Sequence, residues 1–176
     1  MLSPDDAVRR GAAPPVHPTA YRPDRLILPG LPGGDTIAGP LAELKRLDPT
    51  FVSVTWGAGG STRSQTIDLV TRIQDEIGIT AMAHLTCVGS TRDEIGGILE
   101  RLVRAGIENI LALGGDRTRD QPDYQPPPDG LRHAVELVAL IRERFPICVG
   151  AACYPETHPG APSPEADLAA LVRKVA

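Results

Sequence analysis

Four stretches of the chain set polar residues at or just beyond the end of an apolar run. Thr55 and Trp56 close the run 51–56, and His84 and Thr86 lie near the end of 80–87. Gly114-Gly115-Asp116 follows 108–113, and Tyr154 to His158 follows 147–153. If the runs are parallel strands, these groups share the C-terminal end of one sheet, where α/β proteins bind ligands. Each has a plain structural explanation alone. His84 could be a satisfied core histidine, Gly114-Gly115-Asp116 a turn with an Asx bond, and Tyr154-Pro155-Glu156 a proline-stiffened loop. Their coincidence on one rim favours ligand chemistry.

Other chemistries lack their residues. His17, His84, His133 and His158 have no metal-site spacing with cysteine or carboxylate. No nucleophile elbow, P-loop or H-E-x-x-H occurs. The turn after Trp56 reads G-A-G-G-S rather than G-x-G-x-x-G, with no acid placed for a ribose, which speaks against a dinucleotide fold.

The elements that must position the rim follow from periodicity. The spacing predicts helices over 42–47, 62–77, 91–106, 131–144 and from Ser163-Pro164 onward, alternating with the four runs above. Ile67, Val70, Ile73 and Ile77 form one face, with Gly78 as the stop. Thr91-Arg92-Asp93-Glu94 reads as a capping box before Ile95, Ile98, Leu99, Leu102 and Val103. Leu168, Leu171 and Val175 are expected to face inward on the last helix. The strands are apolar along their length, as in a parallel sheet covered on both faces. An α/β fold follows. Periodicity alone does not separate a closed barrel from an open doubly wound sheet.

Residues 1–36 are proline-rich and irregular, with Leu26-Ile27-Leu28 their only strand-like piece, so the expected domain spans 37–176. The net charge of -4 gives no electrostatic reason for a nucleic acid or anionic membrane partner. No apolar stretch reaches membrane-spanning length, and the N-terminus lacks a signal-peptide core. Cys87, Cys148 and Cys153 form no C-x-x-C pair, which suits a reduced, cytoplasmic protein.

FVSVTWGAGGSTR, AHLTC, ILALGGD and AACYPETHP, in this order and at these intervals, resemble the signature segments of methylenetetrahydrofolate reductases. The resemblance covers about residues 41–175. It implies a (β/α)₈ TIM-type barrel, of which this chain holds four to five βα units. It also implies FAD at the C-terminal rim, NAD(P)H as electron donor, and reduction of 5,10-methylenetetrahydrofolate in one-carbon and methionine metabolism. The small-molecule folate is the expected partner, and a homo-oligomer stays open. Thr55, Trp56, Ala58 and His84 match flavin-lining positions. Gly114, Gly115 and Asp116 stand at the family's Arg-Gly-Asp turn, whose Asp lies near the flavin ring and the folate pterin. His133 and Ala134 match a further cofactor-contacting stretch, Tyr154, His158 and Ala161 the next loop, and Asp167, Arg173 and Lys174 polar contacts to the cofactor.

Three positions depart from the family pattern. Gly114 replaces the Arg, and Ala170 replaces a helix Asn that helps hold FAD. The family's first-strand Glu-Phe-Phe-Pro-Pro, whose Glu is the general acid, is replaced by Arg25-Leu26-Ile27-Leu28-Pro29-Gly30. The sequence given stops in the helix after the fifth strand. A non-catalytic barrel fragment or flavin-binding remnant is therefore the alternative expectation.

Overall fold

A computed structural model describes residues 26–28, 38–56, 63–115 and 126–175. Ala58 and Asp116 lie outside the described residues, as do Asp24, Arg25, Pro29, Gly30 and Asp35.

Five strands form one parallel sheet: β1 Leu26–Leu28, β2 Val52–Val54, β3 Ala81–Thr86, β4 Asn109–Leu113 and β5 Cys148–Ala151. Their order is β1-β2-β3-β4-β5, with no reversal. A doubly wound sheet reverses where its two halves meet, whereas successive units of a (β/α)₈ barrel follow one another in order. The fold is thus α/β of the TIM-barrel type, present here as five βα units. Leu26–Leu28, the strand-like piece of the irregular segment, pairs with β2 from Leu26↔Val52 to Leu28↔Val54, so the sheet begins ahead of residue 37.

The helices are α1 Ala38–Lys45, α2 Arg63–Arg72, α3 Arg92–Arg104, α4 Ala134–Arg144 and α5 Pro164–Val175. Helix α1 starts four residues before the expected position 42, which places Pro40 within its first turn, where a missing N–H is tolerated. Helix α2 does not stay α-helical to Ile77: Ile73–Ile77 widen into a π-turn. Gly78 at φ 71° then ends it in the left-handed conformation, and both Gly78 N–H and Ile79 N–H donate to the Ile73 carbonyl. The capping box of α3 forms as the sequence predicts. Glu94 N–H donates to Thr91 Oγ1 (3.1 Å) and Thr91 N–H to Glu94 Oε2 (2.9 Å).

Helix α4 begins at Ala134 rather than residue 131. The Glu136 carboxylate Oε2 accepts the N–H groups of Arg132 (2.6 Å) and His133 (2.9 Å). It reaches back over the helix start, and His133 stays extended as the cap. Burial raises the Glu136 pKa, but these two N–H groups and the charges of His133 and Arg92 outweigh it and hold the carboxyl below its usual range.

The core lies between sheet and helices. Val52, Val54, Ala81, Ala83, Leu85, Ile110 and Ala112 meet Ile67, Val70, Ile73, Ile95, Leu99, Leu102, Leu137 and Ile141. Three expected burials fail. Val103, placed on the buried face of α3, is 36% exposed, because its neighbour Leu102 already points straight at the sheet and the next position turns outward by 100°. On α5, Leu168 is 62% and Val175 69% exposed, and no residue of the helix is buried. Helix α5 packs on α4 and is tied by polar bonds to the loop after β5. Its apolar stripe Leu168, Val172, Val175 has no sheet beneath it among the described residues.

The α3 face gives a direct check. Leu102→Ala removes a fully buried side chain and is expected to cost about 2–5 kcal/mol, whereas Val103→Ala should stay within about 0.5 kcal/mol. Urea unfolding of the two variants measures this. Equal losses would place Val103 back in the core.

Candidate functional site at the C-terminal rim

Residues paired across a parallel sheet point to the same side, and neighbours along a strand point to opposite sides. Ala81, Ala83, Leu85 and Cys87 belong to the core packed against the helices. Met82, His84 and Thr86 therefore face the other side, the interior of the barrel. Register extends that side into rows. Met82 pairs with Ser53 and Asn109, His84 with Leu111, and Thr86 with Leu113. Leu111 pairs in turn with Gly150. Because Val54 pairs with Ala83, Thr55 stands in the His84 row.

His84 is the most informative residue of this face. The residue is 7% exposed, and its Nε2 has no hydrogen-bond partner among the described residues. Desolvation by burial lowers its pKa, so at neutral pH the ring is uncharged. The outer, helix-packed placement that would have made it an ordinary core residue is thereby excluded. A buried imidazole nitrogen left open costs stability unless a ligand or water satisfies it. Asn109 Oδ1, two residues nearer the other end of the same face, is likewise unpartnered.

At the end of β4 the two glycines of the turn differ in kind. A Cβ on Gly115, which sits at φ 89°, would lie 2.8 Å from Val88 Cγ2 and 3.1 Å from Thr86 Cβ. Among the described residues, a Cβ on Gly114 would meet nothing within 4 Å. The turn thus lies flat on 86–88 at Gly115 and is open at Gly114. Cys87, which sequence reasoning treated only as a small hydrophobe, bonds this turn. Its thiol donates to the carbonyls of Leu113 and Gly114, each at 3.3 Å, and its N–H to Leu113 O at 3.2 Å.

Thr66 Oγ1 donates to the Thr55 carbonyl (3.4 Å), tying α2 to the end of β2. Thr55 and Trp56 are half-buried. His133 and Ala134 sit at the N-terminal end of α4. There an isolated bridge, Thr91↔Gly130, joins the loops that follow β3 and β4.

The loop after β5 and helix α5 form one polar unit. His158 N–H donates to Asp167 Oδ2 (3.0 Å), His158 Nδ1 accepts from Gly160 N–H (2.9 Å), and Lys174 Nζ donates to Ala152 O (2.6 Å). Tyr154 meets His158 edge to face at 4.8 Å. Both ends of α5 are therefore held to the segment just beyond β5, which keeps Asp167 and Lys174 at the same end of the sheet as Tyr154 and His158. Ala161 is half-buried within the loop, and Arg173 is exposed beside Lys174. Asp167 and Lys174 each give one polar contact to the protein backbone, through Asp167 Oδ2 and Lys174 Nζ.

A shallow depression of about 280 Å³ lined by Lys45, Arg46, Glu76 and Ile77 opens at the opposite, N-terminal end of the sheet, away from all these groups. Among the described residues no group of three or more His, Cys, Asp or Glu could hold a metal ion, and no helix is long and apolar enough to cross a membrane.

The family described as methylenetetrahydrofolate reductase matches residues 33–176, which takes in every rim segment described above. The chain belongs to this family. Among its relatives is the 5,10-methylenetetrahydrofolate reductase of Salmonella typhimurium, 39% identical over 142 residues, covering 80% of this chain and 45% of the relative. The Escherichia coli protein of the same name is also 39% identical over 142 residues. Methylenetetrahydrofolate reductase (NADH) 1 of Arabidopsis thaliana is 39% identical over 138 residues, covering 72% of this chain and 23% of the plant protein. The chain thus spans less than half the length of the curated reductases it matches.

Two expectations follow from this geometry. Gly115→Ala should destabilise the protein by about 1–3 kcal/mol through strain at positive φ and the clash with Val88, while Gly114→Arg, the family residue, should fold as well as wild type. Thermal unfolding of both decides it; a Gly114→Arg loss as large as that of Gly115→Ala would mean the turn is closed at both glycines.

The second concerns acid. The folded-state pKa of His84 is depressed, so below the ordinary value near 6.5 the unfolded chain binds the proton and the folded one does not. Stability is retained above that pH and falls on acidification, by at most about 1.4 kcal/mol per pH unit from this one group. Denaturant midpoints between pH 7.5 and 5 should fall more steeply for wild type than for His84→Gln; parallel curves would show that His84 takes a proton as readily in the fold as outside it.

Proposed function

We propose that this chain carries the flavin-binding rim of a methylenetetrahydrofolate reductase, with FAD as cofactor and NAD(P)H as donor. The full reaction of the family is reduction of 5,10-methylenetetrahydrofolate to 5-methyltetrahydrofolate in cytoplasmic one-carbon and methionine metabolism. The observation that carries the reading is the buried, neutral, unpartnered His84 Nε2 on the barrel face, in line with the ends of β2, β4 and β5 in a chain of this family.

The residues fit such a group. An open imidazole nitrogen suits a hydrogen-bonding ring system, and the bare backbone at Gly114 and Gly115 allows a flat ligand to approach closely. Thr55, Trp56 and His84 would line the ring, and Tyr154 and His158 the next part of the molecule. Arg173, exposed and cationic, suits the phosphates. His133, Ala134 and Ala161 complete the set on the following loops, with Ala58 and Asp116 as the family's remaining contacts. The chemistry such a group supplies is hydride acceptance from a reduced nicotinamide and donation onward to the one-carbon unit of the folate. The chain's own task is to orient the ring, exclude water from one face and hold His84 uncharged beside it.

Opening the substrate's five-membered ring also needs a proton at a ring nitrogen. Residues Leu26, Ile27 and Leu28 of β1 offer no carboxylate at the place where the family has its Glu. This favours a second reading, a flavin-binding chain that does not turn over folate.

With excess FAD, we expect purified protein to bind flavin and oxidise NAD(P)H with an artificial acceptor. Folate turnover should be slower by roughly 10²–10⁴-fold, the usual contribution of a positioned acid. Comparable rates with the two acceptors would mean that another acid, Asp24 or Asp35, fills the role. No flavin binding at all would remove the functional reading.

A further inference from the structure

The ends of β3 and β4 are joined by more than their ladder. Beyond the Thr86↔Leu113 pair, the Cys87 N–H donates to the Leu113 carbonyl, and the single thiol hydrogen lies between the carbonyls of Leu113 and Gly114. One residue on, Gly115 lies so close to Thr86 and Val88 that even a methyl group would not fit. Cys87 is 1% exposed and forms no disulfide. We propose that Cys87 is a positioning residue for the rim, its thiol fixing the carbonyls through which Gly114 and Gly115 are held in cofactor-contacting backbone geometry. The proposal rests on the flavin reading of this rim.

A hydrophobe of the same volume would serve the core equally well, so the function of the sulfur lies in its proton. A thiol donates weakly, but here it is the donor aimed at two consecutive carbonyls in a buried place. Burial, opposed in part by its own backbone hydrogen bond and aided by the nearby Glu136 carboxylate, pushes the Cys87 pKa up to about 11. The proton therefore stays on sulfur around neutral pH, and the turn is held alike across that range. Serine keeps a donor in a smaller side chain. Valine, one methyl group larger, fills the site and loses the donor. The two substitutions separate hydrogen bonding from packing.

The test is FAD titration of Cys87→Ser and Cys87→Val, followed by flavin absorbance, alongside their thermal unfolding. Positioning predicts that Cys87→Ser binds FAD within about twofold of wild type and Cys87→Val about tenfold more weakly, even where the valine variant melts at the higher temperature. Affinity that instead tracks melting temperature overturns the proposal. Should Cys87→Val not fold, Cys87→Ala takes its place with the same expectation. If wild type binds no FAD, the flavin reading fails while the positioning claim remains decidable. Amide hydrogen exchange of the peptide spanning Leu113 to Gly115 should then be faster in Cys87→Val than in wild type and unchanged in Cys87→Ser. Equal exchange in all three overturns it.

Discussion

The β3–β4 ladder is the constraint on which the rest of the arrangement depends. Five consecutive pairs, from Met82↔Asn109 to Thr86↔Leu113, make it the longest ladder in the sheet. A slip of one residue would exchange the faces, turning His84 and Met82 into the helix layer and Ala83 and Leu85 out of it. The slip is prevented by the side chains themselves. Ala81, Ala83, Leu85, Ile110 and Ala112 fit against Leu99, Leu102, Leu137 and Ile141, and a histidine at one of those positions would be buried among apolar groups. Packing on one face of the sheet thereby dictates which residues are presented on the other.

The ties beyond the strands extend this logic. Thr91 bridges to Gly130, and Glu136 holds two backbone N–H groups ahead of α4 while lying close enough to raise the pKa of Cys87. The charge of Arg92, at the start of α3, in turn stabilises the Glu136 carboxylate. The connections after β3 and β4 are thus coupled by hydrogen bonds and by charge, and the first turns of two neighbouring helices share one electrostatic environment. The connection after β5 is organised differently. It is held by its own helix through Asp167 and Lys174, with α4 as that helix's packing partner.

Much of this was legible in the sequence, because the informative features were local. The α/β class followed from uniform strand–helix alternation, whereas the consecutive strand order of a barrel followed only from the resemblance. The capping box at Thr91 and the stop at Gly78 are signals written within four residues. The gathering of Thr55, His84, the glycine turn and Tyr154 at one end of the sheet was likewise readable from where polar residues fall along apolar runs. What escaped depended on contacts distant in sequence. The late start of α4 reflects a glutamate reaching back, where periodicity alone favoured the buried Leu131 as part of the helix. The exposure of Leu168 and Val175 could not be read from helical spacing, which shows that an apolar stripe exists but not what lies beneath it. Cys87 was read as a filler, since nothing in AHLTC shows that its neighbour in space is a pair of carbonyls 26 and 27 residues away. Asp116 lies outside the described residues, as do Arg25, Pro29 and Gly30 on either side of β1, so the expected role of Asp116 rests on the resemblance alone.

The small ring that His158 makes with Gly160 has a consequence for what can bind beside it. A ring nitrogen that accepts an N–H carries no proton of its own, and Nδ1 accepts from Gly160 at 2.9 Å. The neutral imidazole must then be the Nε2–H tautomer, and the edge it turns away from the loop is a donor. Oxygen lone pairs, such as those of phosphate, hydroxyl or carbonyl groups, are complementary to that edge, and an ammonium or an amide N–H is not. One backbone N–H, that of Gly160, thereby selects the hydrogen-bonding polarity of a side chain whose type alone would allow either.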